Sequence, residues 1–184
     1  TKPIGTEMKI IPFSTLGPVP EADFMPDSAL LLPGRPMFYP EDGERWQLQP
    51  LVAVHVSRLG KGIAPKFATR YYDGITVGLR LTLQEHPSPG LLSGLDSSVV
   101  CGEWMAPDTV PAIIEADING APVTLMARPD DIAAALEAVS RLTIMKMGDI
   151  ILLPPACAAL PATPRTHVEV RLPDGRMPLN LKIV

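Results

Sequence analysis

The chain has 184 residues, of which 46% are apolar and 20% charged, so it can bury one sizeable core. Its formal net charge of −4 excludes the broad basic surface expected of a protein that binds nucleic acid or anionic lipid. No apolar run reaches the ~18 residues of a membrane-spanning helix, and no signal peptide is visible, so a cytoplasmic location without a membrane partner is predicted. Residues 1–7 are expected to be a disordered or non-native N-terminus.

Proline and glycine interrupt the chain throughout, with 22 Pro and 14 Gly. Many of them separate short apolar runs, as in residues 32–36 and 88–90. Because proline fixes φ and removes a backbone donor, this spacing favours a loop-rich, mostly β protein.

The first half of the chain predicts short strands separated by turns. In the stretch 76–82, Val77, Leu79 and Leu81 fall on one face, and Gly78 and Arg80 fall on the other. Strands are predicted at 8–13, 29–32, 51–57 and 76–82, with a turn or short helix at 63–67.

The second half contains the clearest hairpin and the main helix. Asn119-Gly120 is a favoured type I′ turn pair, so residues 110–118 and 121–124 are predicted to be its two strands. A helix is predicted over residues 132–142, capped by Asp130 or Asp131. The remaining predictions are a buried helix face at Ile132, Leu136 and Val139, a strand at 150–153, and a closing hairpin of 167–172 with 177–184.

The common chemical motifs are absent from the sequence. His55, His86 and His167 are too scattered for a recognisable metal site, and no glycine-rich phosphate loop follows a strand. Cys101 and Cys157 are expected to be buried free thiols. The acidic run 41–44 is interpreted as a solvated loop.

One stretch carries a specific resemblance to a known family. It is Arg-Leu-Gly-Lys-Gly-Ile at 58–63, followed by Phe-Ala-Thr-Arg-Tyr-Tyr-Asp-Gly-Ile-Thr-Val-Gly-Leu-Arg-Leu-Thr at 67–82. It resembles the core of the fumarylacetoacetate hydrolase family, and weaker pieces occur in the family's order over residues 8–184. The resemblance implies a single domain over 1–184, mostly β (α+β), with a mixed β-sheet roll, one main helix near 131–142 and commonly a dimer.

The family's chemistry depends on a metal ion. Its members hold magnesium or calcium with a Glu-x-Glu pair and a later Asp, since carboxylate oxygens suit hard cations. The metal stabilises the enolate of a 1,3-dicarbonyl or 2-keto acid, while a lysine and a Thr-Gly-Thr-Pro loop help to hold the substrate.

This chain departs from the family at each of these positions. By the resemblance, the Glu-x-Glu pair falls on Gln49 and Leu51, the Asp on Arg80, the lysine on Ser93, and the Thr-Gly-Thr-Pro loop on 153–156. The resemblance therefore implies no metal, no cofactor and no catalytic residue. It leaves Gln49, Arg80 and Ser93 as the binding residues of a vestigial pocket.

Two interpretations of Arg80 stay open. It is either a structural arginine paired with a carboxylate or a clamp for an acidic ligand. Arg70 and Asp73 are interpreted as hydrogen bonders that support the fold.

Three hypotheses for function follow from the resemblance. The favoured one is a divergent, non-catalytic homodimer, a pseudoenzyme that serves as a binding or scaffold module. The second is a metal-free or relocated-site enzyme of the acylpyruvate hydrolase, oxaloacetate decarboxylase, or isomerase or hydratase type, acting on a 2-keto acid or 1,3-dicarbonyl. The third is a structural subunit that pairs with an active paralogue.

Overall fold

The structure is a computed structural model that describes residues 8–15, 20–40, 45–83 and 92–184. Within these ranges the main helix is α1 (Pro129–Leu142), and short 3₁₀ helices cover Asp27–Ala29, Pro65–Arg70 and Pro107–Thr109. The strands are β1 (Ile10–Ser14), β2 (Glu21–Ala22), β3 (Trp46–Val56), β4 (Tyr72–Leu83), β5 (Val99–Cys101), β6 (Ile113–Ile118), β7 (Ala121–Met126), β8 (Ile150–Leu152), β9 (Leu160–Pro161), β10 (His167–Arg171) and β11 (Leu179–Lys182).

The strands form two sheets. The larger has the order β2-β1-β8-β3-β4-β5, with β9 also paired to β3, and the smaller has the order β11-β10-β6-β7. β1 and β8 run parallel, whereas β3 pairs antiparallel with β4, β8 and β9, so the larger sheet is mixed. The prediction of a mostly β, mixed-sheet protein with one main helix is confirmed.

The long pair β3 and β4 forms the centre of the larger sheet. β3 begins at Trp46, earlier than the predicted start at residue 51. It therefore contains Pro50, which lies opposite Leu79. On its other side, β3 pairs with β9 at residues 47–48 and with β8 at residues 53–55. Pro50 lies in the gap between these two partners, where the missing N–H disrupts no described ladder.

The main core joins the two sheets and the helix. Val77, Leu79 and Leu81 are buried in it, as the alternation of β4 predicts. Ile132, Leu136 and Val139 of α1 are fully buried in the same cluster, as predicted for the apolar face of the helix. The opposite face of the larger sheet carries a second, smaller cluster: Ile10, Met25, Ala29, Leu51, Ala53, Val99, Ile150 and Leu152.

The predicted hairpin and the prediction of a helix cap have different outcomes. Asn119 and Gly120 both have positive φ, at 52° and 86°, as a type I′ turn between β6 and β7 requires. The closing hairpin is also present as β10 and β11. The prediction that Asp130 or Asp131 caps the helix is wrong, since α1 begins at Pro129 and both aspartates lie in its first turn. There their negative charges stabilise the helix by interacting with the positive, N-terminal end of its dipole.

Two other local predictions need correction. Residues 29–32 do not form a strand: Ala29 ends a 3₁₀ helix, and Leu30 makes one isolated bridge to Val99. Cys101 and Cys157 are free as predicted, but both are only partly buried. The predictions for residues 1–7, His86 and the acidic run 41–44 lie outside the described residues.

The described helices include none with the length and apolar character needed to cross a membrane.

Candidate functional site

The structure brings the positions implied by the family resemblance to one face of the larger sheet. Gln49 on β3 lies directly opposite Arg80 on β4, and Leu51 lies opposite Gly78. Since side chains alternate along a strand, Gln49, Leu51 and Arg80 all point away from the main core. They therefore form one cluster, as the resemblance requires.

The side chain of Gln49 is held by backbone carbonyls. Its Nε2 donates to the carbonyl of Cys157 at 2.9 Å and to that of Pro50 at 3.1 Å. Cys157 follows directly after residues 153–156, so the loop that corresponds to Thr-Gly-Thr-Pro lies beside this cluster. These bonds fix the amide with its N–H groups turned to the protein, and its oxygen accepts no hydrogen bond from a described residue.

Arg80 is a cation in a largely desolvated place. Burial lowers the pKa of its guanidinium, and the negative charge of Asp23 opposes this by raising it. Its Nε is buried and has no hydrogen-bond partner in the part of the chain that the structure describes. The ion pairs found among the described residues do not include Arg80. A buried donor left unpaired costs about 1–3 kcal/mol, so the site contains unused capacity to bind an acceptor.

Asp23 links Arg80 to Ser93, and sequence reasoning missed it. Ser93 donates its hydroxyl to Asp23 Oδ2, while the backbone N–H of Phe24 donates to Asp23 Oδ1 at 2.8 Å. Ser93 is thereby connected to the Arg80 side of the sheet through a carboxylate. Asp23 lies just after the two-residue strand β2, and no sequence motif marks it.

The residues at this site do not fit a hard divalent cation. Gln49 offers a neutral amide oxygen, Leu51 offers none, and Arg80 adds a positive charge directly opposite Gln49. Among the residues that the structure describes, no three His, Cys, Asp or Glu side chains come together in a way that could hold a metal. The guanidinium of Arg80 can donate to the oxygens of a carboxylate.

The two residues interpreted as fold-supporting hydrogen bonders have separate environments. Asp73 does form such a bond, since its Oδ1 lies 2.6 Å from His55 Nδ1. Arg70 instead lies over the ring of Phe67, with its Cζ 5.0 Å from the ring centroid.

Comparisons with known proteins identify the fold. A scan against family models found no match, and no curated protein matches the chain. Among solved structures, the 5-carboxymethyl-2-hydroxymuconate delta-isomerase from Mycobacterium smegmatis is similar with a TM-score of 0.80 at 20% identity, over 96% of this chain and 78% of that one. A protein described as a fumarylacetoacetate hydrolase family member, from Yersinia pestis CO92, is similar with a TM-score of 0.80 at 20% identity, over 96% of this chain and 93% of that one.

A third solved structure combines the fold with a metal. It is the maleylpyruvate hydrolase from Sphingobium sp. SYK-6 in complex with manganese(II) and pyruvate, with a TM-score of 0.76 at 18% identity, over 96% of this chain and 70% of that one. Together these similarities define the class: the chain has the mixed β-sheet roll of the fumarylacetoacetate hydrolase type. The fold predicted from residues 58–82 is confirmed.

Proposed function

We propose that this protein is a non-catalytic relative of the fumarylacetoacetate hydrolase enzymes, and that it binds a small carboxylate through Arg80 where those enzymes use a metal. The observation that carries the proposal is the guanidinium of Arg80, which is largely buried and whose Nε has no hydrogen-bond partner among the described residues. A carboxylate ligand would supply an acceptor to this Nε, in a charge-assisted hydrogen bond.

The same site offers little to catalysis. Gln49 uses both of its described hydrogen bonds on backbone carbonyls, and Ser93 replaces the lysine and bonds to Asp23. An enolate needs a metal or a comparable electrophile, so we assign no metal, cofactor or catalytic residue to the chain. We further propose a single domain over 1–184 and a cytoplasmic location. Besides the small carboxylate, the proposed partners are a second copy of the chain in a homodimer and an active paralogue.

We expect oxalate to stabilise the wild-type protein against unfolding. At a hundredfold excess over its Kd, the gain should be roughly 2–3 kcal/mol by mass action. Arg80→Met should abolish this gain while leaving the unliganded protein as stable or slightly more stable, because Arg80 has no described ion pair to lose. Thermal melts of both proteins, with and without oxalate, measure each effect.

The exposed Arg58 provides the control for this experiment, since Arg58→Met also removes a cation and should keep the oxalate response. Two results contradict the proposal. The first is a wild type that does not respond to oxalate, combined with a loss of about 3–5 kcal/mol in unliganded Arg80→Met, which would make Arg80 a structural pair. The second is turnover of oxaloacetate that Arg80→Met abolishes, which would favour the metal-free enzyme.

We expect the homodimer to involve an exposed apolar surface around Phe38. Phe38 is 72% exposed and Leu32 is 61% exposed, and both lie with Pro36 along one shallow groove. Contiguous exposed apolar surface marks interaction sites. Light scattering at micromolar concentration should give twice the chain mass of 19.8 kDa.

Phe38→Ser should shift this mass toward that of the monomer. Leu142→Ser, at a residue that is 64% exposed elsewhere on the chain, should not. A monomer mass for the wild type would count against the dimer, and equal behaviour of the two variants would count against this surface.

A further inference from the structure

A histidine and an aspartate form a close pair at the other end of β3 from the Arg80 site. His55 Nδ1 lies 2.6 Å from Asp73 Oδ1, and both side chains are partly exposed. His55 shares the sheet face of Gln49, but six residues of extended strand separate them, about 20 Å at ~3.3 Å per residue. The pair is therefore distinct from the site described above.

A tryptophan holds the imidazole from a second side. Gly74 lies opposite His55 in the ladder, and a Cβ there would come within 3.2 Å of the Trp104 ring and 3.3 Å of the His55 Cβ. The absence of that Cβ lets Trp104 pack over the strand, with its ring centroid 5.4 Å from that of His55 and the planes tilted by 48°. The ring of Trp104 is still partly exposed, since the residue keeps 38% of its surface.

These contacts orient the imidazole. The Asp73 carboxylate accepts the Nδ1–H of His55, so Nε2 is the ring nitrogen left to meet a ligand.

His55 and Trp104 line a groove of about 610 Å³ whose walls are mostly apolar. The apolar walls include Leu30, Leu31, Ile150, Leu179 and Leu181. Its polar groups include Arg35, which forms no ion pair with a described residue, and the exposed Glu103. Small-molecule sites have this size and this mixture of apolar walls with a few polar groups.

We infer that this groove is a second ligand site, for a small carboxylic acid with a planar, apolar body. The body lies between the Trp104 ring and the apolar walls. The carboxylate accepts hydrogen bonds from Arg35 and, when both ring nitrogens of His55 carry a proton, from its Nε2–H. Charged donors of this kind bind an anion more strongly than neutral groups do. Glu103 lies at the same groove and disfavours acids that carry a second negative charge.

The ligand binds without a covalent step. Cys101 also lines the groove, but burial raises the pKa of its thiol to about 12, so it is not a thiolate nucleophile near neutral pH. No other cysteine or serine lines this groove in the described part of the chain.

The experiment uses phenylacetate as the probe and the two tryptophans as reporters. Trp46 is 5% exposed, so saturable quenching of the intrinsic fluorescence reports on Trp104. Phenylacetate should bind, and its neutral amide, phenylacetamide, should bind at least about tenfold more weakly because it cannot pair with the two cations. Absence of saturable quenching, or equal affinity for acid and amide, would overturn the inference.

Variants identify the residues involved. His55→Gln and Arg35→Gln should each weaken phenylacetate binding by about tenfold. Asp73→Asn should weaken it less, because it removes the carboxylate that orients the imidazole but keeps both His55 and Arg35. His167→Gln, at an exposed histidine of the smaller sheet, and Arg80→Met should leave the affinity unchanged, which separates this site from the one proposed at Arg80. Unchanged affinity in folded His55→Gln and Asp73→Asn would refute the assignment.

Discussion

Replacing Asp149 with alanine should lower the free energy of unfolding by about 3–5 kcal/mol. The carboxylate is fully buried and accepts hydrogen bonds from the backbone N–H groups of Lys9, at 2.8 Å, and Lys146, at 2.7 Å. It also pairs with the Lys9 ammonium at 2.8 Å. Alanine leaves two backbone donors unpaired and one cation without its partner, and each of these carries its own desolvation cost.

The location of Asp149 makes this loss global. It directly precedes β8, which pairs with both β1 and β3. Its bonds to Lys9 and Lys146 therefore stabilise the part of the larger sheet where β1 and β8 run parallel. Urea denaturation followed by circular dichroism measures the effect. Asp174→Ala is a matched control, because Asp174 also bonds a backbone N–H and a basic side chain, both of Arg176, but is exposed. A change in Asp149→Ala as small as in the control would show that the buried network contributes little.

The double change Gln49→Glu with Arg80→Asp should convert the proposed anion site into a metal site. Directly opposite residues of an antiparallel pair have Cβ atoms about 4.5–5.5 Å apart, a separation that two carboxylates can bridge through one ion. The charge of Asp23, which acts on Arg80, adds to the negative charge that an ion would meet. Without metal the variant should lose stability through repulsion between like charges.

Adding Mn²⁺ at a hundredfold excess over its Kd should then restore roughly 2–3 kcal/mol. Calorimetric titration with magnesium, calcium and manganese should detect no binding to the wild type. Gln49→Glu alone is the control, because the new carboxylate would pair with Arg80 across the strands and bind no ion. Micromolar affinity of the wild type would refute the loss of the metal site. A double variant without any manganese response would show that these two positions do not face a common space.

Local signals in the sequence were sufficient for several elements of the fold. The alternation around Leu79 identified both faces of β4, and Asn119-Gly120 identified a turn, because each depends on neighbouring residues alone. The boundaries of β3 could not be predicted in the same way. Pro50 is acceptable there only because the sheet has a gap on that side, which arises from how β8 and β9 dock.

The candidate site was predicted in part, and by a different route. The family resemblance placed Gln49 and Arg80 at one site, whereas the predicted strand at 51–57 did not contain Gln49, so the cross-strand pair of Gln49 with Arg80 could not be read from the predicted strands. Asp23 was missed because 57 positions of chain separate it from Arg80 and a two-residue strand delivers it to the site. The groove beside Trp104 was missed too, since it depends on the space that Gly74 leaves between two other side chains.

The guanidinium of Arg80 also determines which solution conditions would change ligand occupancy at the proposed site. A bound metal can be removed by chelators or exchanged for a competing ion, whereas a cation carried on a covalent side chain stays in place. Occupancy at Arg80 should therefore be unaffected by EDTA and by the supply of divalent ions, and should follow the concentration of the acid itself. Because the charge is largely desolvated, added salt should weaken it less than it weakens an exposed arginine.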